Sequence, residues 1–132
     1  MAQEEKQLLL KDLCGRLPYG VKYCRESWNY EWDQEMSVVE TLEDIDKDGY
    51  INDTKVYKVW DIKPYLRPMS SMTEDEKKEI YKFYDTDGRG FPDSINEGMV
   101  SNYVDYCNAH HFDYRGLIKK GLALEAPEGM YK

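Results

Sequence analysis

At 132 residues with a net charge of −8, the chain has the length of one domain. It lacks the cationic excess with which DNA- and RNA-binding proteins displace counterions, so direct nucleic-acid binding is not expected. A hydrophobic content of 41% with 14% aromatics supplies a core and argues against disorder, and no segment approaches the roughly twenty apolar residues that cross a bilayer.

Cys14, Cys24 and Cys107 form no close-spaced framework. The opening MAQEEKQLLLKDL carries acids where a secretion signal carries bases. A cytoplasmic location with reduced thiols is therefore expected, without membrane association.

In residues 3–14, Leu9 and Leu13 fall four apart, with Leu10, Cys14 and Leu17 on an adjoining stripe. This spacing predicts a helix, with Gly15 as its C-terminal cap and Pro18 preventing continuation. From Gly20 the period shifts to two. Val21 and Tyr23 alternate with Lys22 and Cys24, which predicts a strand to about Trp28, followed by the loop WNYEWDQ.

Met36, Val38 and Leu42 predict a second strand as far as Ile45. Asp46-Lys47-Asp48-Gly49 suits a type I turn with a left-handed glycine. YINDTKVYKVW then predicts a third strand, with Val56, Tyr57, Val59 and Trp60 at its β-rich end. Residues 62–68 (IKPYLRP) read as a proline-bounded connector, because two prolines are excluded from a central strand.

Thr73 with Glu76 forms a T-x-x-E capping box, and Glu74 and Asp75 suit a first helical turn. That helix is predicted to reach Tyr84, with Ile80, Phe83 and Tyr84 inward, and to break at Asp85-Thr-Asp-Gly-Arg-Gly. Ser94 with Glu97 opens a second helix whose face is Ile95, Met99, Tyr103 and either Tyr106 or Cys107. Asp113 caps a third, short helix, stapled by Phe112 and Leu117 and ended by Gly121, and residues 122–132 form a tail. The expected fold is α+β in a single domain, 1–132. It has an N-terminal helix and a small antiparallel sheet (meander or SH3-like) in 1–68, and about three C-terminal helices in 69–132.

Asp44, Asp46 and Asp48 match EF-hand ligand positions 1, 3 and 5, with Gly49 at 6 and Ile51 at 8. Position 12, where a bidentate glutamate belongs, is Lys55. Asp85-Thr-Asp-Gly-Arg-Gly is a second partial echo, with Arg89 at a ligand position and Asn96 at position 12. Aspartate and glycine are also what tight turns require, so calcium binding is the alternative reading and a turn the preferred one. Cys107, His110, His111 and Asp113 cluster in sequence but lack the second ligand pair of a zinc site. No nucleophile elbow or phosphate-cradling loop accompanies any cysteine or glycine stretch. No cofactor is expected, and an enzyme of unknown type is the second alternative.

Between residues 26 and 53, ten acidic side chains stand against the single base Lys47, a local charge of −9. The same region carries Trp28, Tyr30 and Trp32 in one loop, with Glu31, Asp33 and Glu35 among them. Aromatic anchors flanked by steering carboxylates suit a basic protein partner. They equally suit imitation of nucleic-acid charge toward a DNA-binding protein. The plainer explanation is that the tryptophans cover the core and the acids are merely solvated.

LLLKDLCGRLPYGVK, DIKPYLRPMSSMTEDEKKE and NAHHFDYRGLIKKGLALEAPEGMYK together span a little under half of the chain. In this order they resemble a family of short uncharacterised proteins from gut Bacteroides-type bacteria and their phages or mobile elements. The resemblance implies a bacterial cytoplasmic or phage-encoded protein and assigns no catalytic residue. It is weakest from Tyr23 to Trp60, which implies that the acidic strands are this member's partner-specific surface. The expected function is that of a non-enzymatic phage or mobile-element interaction protein.

Overall fold

The structure, a computed structural model, describes residues 2–84 and 97–131. Four of the sequence expectations lie outside them: the break and partial calcium-loop echo at 85–90, Asn96, Ile95 and the Ser94 half of the second capping box. The side chains of Phe83, Tyr84 and Glu97 lie outside as well.

Helix α1 is Gln3–Arg16. Ala2 has no side-chain oxygen to cap it, but the Glu5 carboxylate accepts the Ala2 N–H at 3.3 Å and satisfies one orphan donor. Leu9 and Leu13 are fully buried, as predicted. Gly15 is not the cap. It lies inside the helix, where a Cβ would come 3.0 Å from the Asn108 amide, so its lack of a side chain admits the close approach of a later helix. The left-handed residue is Gly20 (φ 69), reached after one 3-10 turn containing Pro18.

Strands β1 (Lys22–Asn29) and β2 (Gln34–Thr41) form an antiparallel hairpin with eight unbroken pairs, from Lys22↔Thr41 to Asn29↔Gln34. Residues 30–33 make the connection, with Asp33 at φ 51 and the Trp32 N–H donated to Asn29 Oδ1 at 3.0 Å. Both predicted strands are present, the second ending earlier than Ile45.

The predicted third strand is absent. Residues 50–60 are a chain of turns whose β pairing, among the described residues, is confined to the isolated bridges Ile45↔Ile51 and Tyr50↔Lys58. Asn52, Asp53 and Lys55 all take positive φ (48, 55 and 59), so turn chemistry at Asn-Asp-Thr-Lys overrides the β-rich residues after it. Val59–Asp61 is a 3-10 turn.

The third strand, β3, is Lys63–Leu66, inside the segment that its prolines were expected to exclude. It pairs antiparallel with β1 (Tyr23↔Pro64, Cys24↔Lys63) and parallel with β4, Leu124–Glu125. The sheet order is β2-β1-β3-β4. The Leu42 N–H bonds to the Val21 carbonyl at 2.8 Å, so alternation makes Tyr23 bond toward β2 and leaves Cys24 to bond toward β3. The nitrogen of Pro64 thus points away from β1, and β4 begins only opposite Tyr65. The missing donor breaks no rung.

Helix α2 is Glu74–Tyr84 and helix α3 is Glu97–Ala109. The Thr73 box is formed in both directions: Thr73 N–H to Glu76 Oε1 at 3.0 Å and Glu76 N–H to Thr73 Oγ1 at 3.2 Å. Tyr106 and Cys107 are both buried. The third C-terminal helix does not form. Asp113 accepts the N–H groups of Leu117 (2.8 Å) and Ile118 (2.9 Å) as a cap would, but Gly116 at φ 73 and Gly121 at φ 77 turn the chain through successive tight turns. Phe112 and Leu117, the supposed staple, belong to separate apolar clusters.

The predicted tail is structural: Leu122 and Ala123 are buried, and β4 makes the sheet mixed rather than purely antiparallel. The architecture is α+β, with two C-terminal helices among the described residues. No helix there is long and apolar enough to cross a membrane.

Leu9, Leu13, Val21, Tyr23, Leu42 and Leu66 centre the main core, between α1 and the inner face of the sheet. Tyr106, Cys107 and Phe112 centre a smaller one. Between them lies a buried polar seam. The Arg16 guanidinium bonds to both Asp12 oxygens (2.7 and 3.2 Å) and to the Phe112 carbonyl (2.6 Å), with both ion-pair side chains fully buried.

Tyr131 reaches across from the C-terminal segment. Its hydroxyl accepts the Lys22 N–H at 2.8 Å and donates to the Tyr65 carbonyl at 2.7 Å. Extending the β1–β3 register places Lys22 opposite Tyr65, so the phenol occupies the next rung where the strands part. Burial pushes its pKa up to about 12.

Candidate hairpin interface

The six residues singled out from sequence lie together at the far end of the β1–β2 hairpin. Trp28 ends β1 directly opposite Glu35, on the sheet face turned away from α1. Tyr30, Glu31, Trp32 and Asp33 form the connection. Trp28 is 47% exposed, Trp32 62% and Tyr30 88%, which decides against these rings covering the core. Glu31, Asp33 and Glu35 are exposed and make no ion pair among the described residues.

The inner face of the same hairpin is different. Arg25 Nε donates to Glu40 Oε1 at 2.7 Å, and the Tyr23 hydroxyl donates to Glu40 Oε2 at 3.1 Å. Burial, then the bond to Glu40, push Tyr23 up to about 12. The Asn52 amide donates to Tyr23 Oη (3.2 Å) and to the Thr41 carbonyl (2.9 Å). Charge is neutralised at the root of the hairpin and left free at its tip.

The outer face continues past Trp28 through Glu26 and Cys24 to Lys63 and Tyr65, where a depression of about 390 Å³ opens. Burial and a hydrogen bond with Cys24 raise the Tyr65 pKa. A larger depression, about 550 Å³, lies between α2 and the C-terminal segment. Its principal charges engage each other: Arg67 bonds to both Glu76 oxygens (2.8 and 2.7 Å), and that guanidinium holds the Glu76 carboxyl down to about 2.

Asp44, Asp46 and Asp48 do not converge. Asp46 Oδ1 accepts the N–H groups of Asp48 and Tyr50, both at 2.9 Å, while its carbonyl accepts that of Gly49 at 3.0 Å. Gly49 sits at φ 90, and a Cβ there would meet the Trp60 ring at 3.3 Å. Residues 46–49 are a tight turn, as preferred on sequence. Among the described residues no three His, Cys, Asp or Glu side chains are placed to hold one metal ion.

The Cys107, His110, His111 and Asp113 cluster is likewise dispersed. Cys107 is buried, which raises its thiol pKa, and Asp113 caps its turn. His110 stacks on Tyr106 at 4.1 Å. His111, at φ 63, stacks on Tyr131 at 3.6 Å, and burial, followed by the charge of Arg16, drives its pKa down to about 4.

Sequence reasoning missed the polar seam. The Asp-x-x-x-Arg spacing at 12 and 16 was available as a signal, set among Leu9, Leu10 and Leu13 on the apolar side of α1. Nothing local points to the His111–Tyr131 stack.

Comparison with protein-family models, with curated proteins and with solved structures finds no match.

Proposed function

We propose that this chain is a non-enzymatic interaction protein, of phage or mobile-element type, that docks a basic protein through the tip of its β1–β2 hairpin. The observation that carries this reading is the exposure of three aromatic rings beside carboxylates that no base neutralises among the described residues. Exposed aromatics gain most when a partner excludes water from them, and unpaired charges raise the rate of encounter with a surface of opposite sign. Each half-exposed indole is a candidate anchor, with truncation of such a residue removing about 2 kcal/mol or more of binding energy.

Affinity capture from a Bacteroides-type host lysate at low and moderate salt tests the proposal, comparing the wild-type chain with Trp28→Ala/Trp32→Ala. A basic partner held by the wild type, lost by the variant and weakened by salt is the expected result. Retention indifferent to both the substitutions and the salt, or no retained partner, overturns it.

A further inference from the structure

We propose that the open edge of β2 accepts an extended segment of the basic partner as a fifth strand. The inference rests on the reading of the hairpin as a partner surface and specifies how the partner is held. Among the described residues the sheet order leaves β2 with a neighbour on one side only. Because Val21 and Leu42 form a bonded rung and the register is unbroken, Gln34, Met36, Val38 and Glu40 turn their backbone groups toward β1. Glu35, Ser37, Val39 and Thr41 turn theirs outward. The Thr41 carbonyl is taken by Asn52 at 2.9 Å. The N–H and C=O groups of Glu35, Ser37 and Val39 meet no partner among the described residues.

Such a row of donors and acceptors is a template for another strand, and proteins usually blunt it with lysine, proline, a bulge or a covering element. The β2 sequence QEMSVVET has neither lysine nor proline, and its eight pairs contain no bulge. What it carries is glutamate. Glu40 is neutralised by Arg25, whereas Glu35 has no ion pair among the described residues. A second copy of this chain would set one acidic region against another, so the charge selects a basic strand over self-pairing.

The side-chain requirements follow from the pleat. An incoming residue opposite Glu35 lies about 4.8 Å away on the outer face, with Trp28 one strand beyond it. Lysine or arginine suits that position. Val39 is on the same face and 48% exposed, and an apolar residue suits the position opposite it. The fitting segment is therefore extended, with a basic and an apolar residue four positions apart.

The probe is a synthetic peptide with lysine and valine at that spacing and threonine elsewhere, beside a copy N-methylated on its edge-facing amides and a copy with glutamate replacing lysine. On binding, hydrogen exchange should slow at the amides of Glu35, Ser37 and Val39, while those of Met36 and Val38, already bonded, change little. Both modified peptides should bind at least about tenfold more weakly. Val39→Pro removes one outward donor and no β1 rung, so it should weaken the peptide by a similar factor. If that variant does not fold, the exchange pattern of the wild-type chain decides.

Equal binding of the N-methylated peptide, with loss only in Trp28→Ala, would sink the edge and leave the ring-mediated interface standing. No binding by any peptide up to millimolar concentration also overturns the edge, and capture that survives ring removal separately overturns the interface. Concentration-dependent dimerisation that protects the same three amides would assign the edge to a second copy and reject the basic strand.

Discussion

Glu31, Asp33 and Glu35 at the hairpin tip keep their water, whereas Asp12 and Arg16 in the seam between α1 and the C-terminal segment are sealed from it. Both regions concentrate ionisable groups, yet their consequences are opposite. A solvated carboxylate contributes little to folding and stays available to a partner. The buried pair is held by each other, by the backbone and by Arg115 on Asp12, so loss of Asp12 strands a buried guanidinium, whereas loss of Arg16 leaves Asp12 with Arg115 alone. Among the described residues one guanidinium nitrogen of Arg16 and the Nδ1 of His111 nearby have no hydrogen-bond partner. Position in the fold, rather than charge content, separates a binding surface from a structural fastening.

The contrast breaks most readily in the seam. Asp12→Ala should destabilise the chain by about 3–5 kcal/mol in denaturant unfolding, and Arg16→Ala by less, because Arg115 still faces Asp12. Asp12→Leu/Arg16→Met should recover most of that, because the double change removes the buried charge altogether. A single-variant loss below about 1 kcal/mol would mean that water reaches the pair.

Acid sharpens the comparison next. In the unfolded chain His111 takes its proton at its ordinary 6.5, and in the folded chain at about 4. Between those values the unfolded state holds more protons, so stability falls as pH drops through this window, by a loss on the order of 2–3 kcal/mol. His111→Asn, which tolerates the positive φ, should flatten that slope. Glu76 acts lower: its pKa is depressed from 4.5 to about 2, chiefly by Arg67, so its contribution is present above 4.5 and lost as pH falls toward 2. Stability curves of wild type and His111→Asn that coincide from pH 7 to 4 would reject the assignment to His111.

The smallest effect belongs to the tip. Tyr30→Ser and Trp32→Ser should each change stability by no more than about 0.5 kcal/mol, measured by thermal or denaturant unfolding. A loss above about 2 kcal/mol would place those rings among the groups that hold the fold, and the contrast would fail.

What the sequence made legible is local. The leucine spacing of α1, the alternation of β1 and β2, the Thr73–Glu76 box and the turn at 46–49 each depend on residues close together in the chain. The six hairpin residues were legible for the same reason, since one short loop gathers them. The unread parts depend on distant partners. Pro64 is tolerated because of which neighbour its nitrogen faces, and that is set by β1, some forty residues earlier. The stretch from Val56 to Trp60 has strand composition but, among the described residues, no more than the single bridge Tyr50↔Lys58 beside it. Asp12 and Arg16 have the spacing of an ordinary exposed helix pair, and only the arrival of Phe112 and Arg115 encloses them.

The Tyr131 phenol has a consequence for the order of assembly. Lys22 and Tyr131 stand 109 positions apart, so during synthesis the hairpin can form long before the residue that fills the last rung between β1 and β3 exists. Until then β3 can already pair with β1, and one rung, between Lys22 and Tyr65, waits to be filled. A chain cut before Tyr131 would keep the pairing of Tyr23 and Cys24 with β3 but lose the phenol that links the Lys22 amide to the Tyr65 carbonyl, so the sheet would fray at that end.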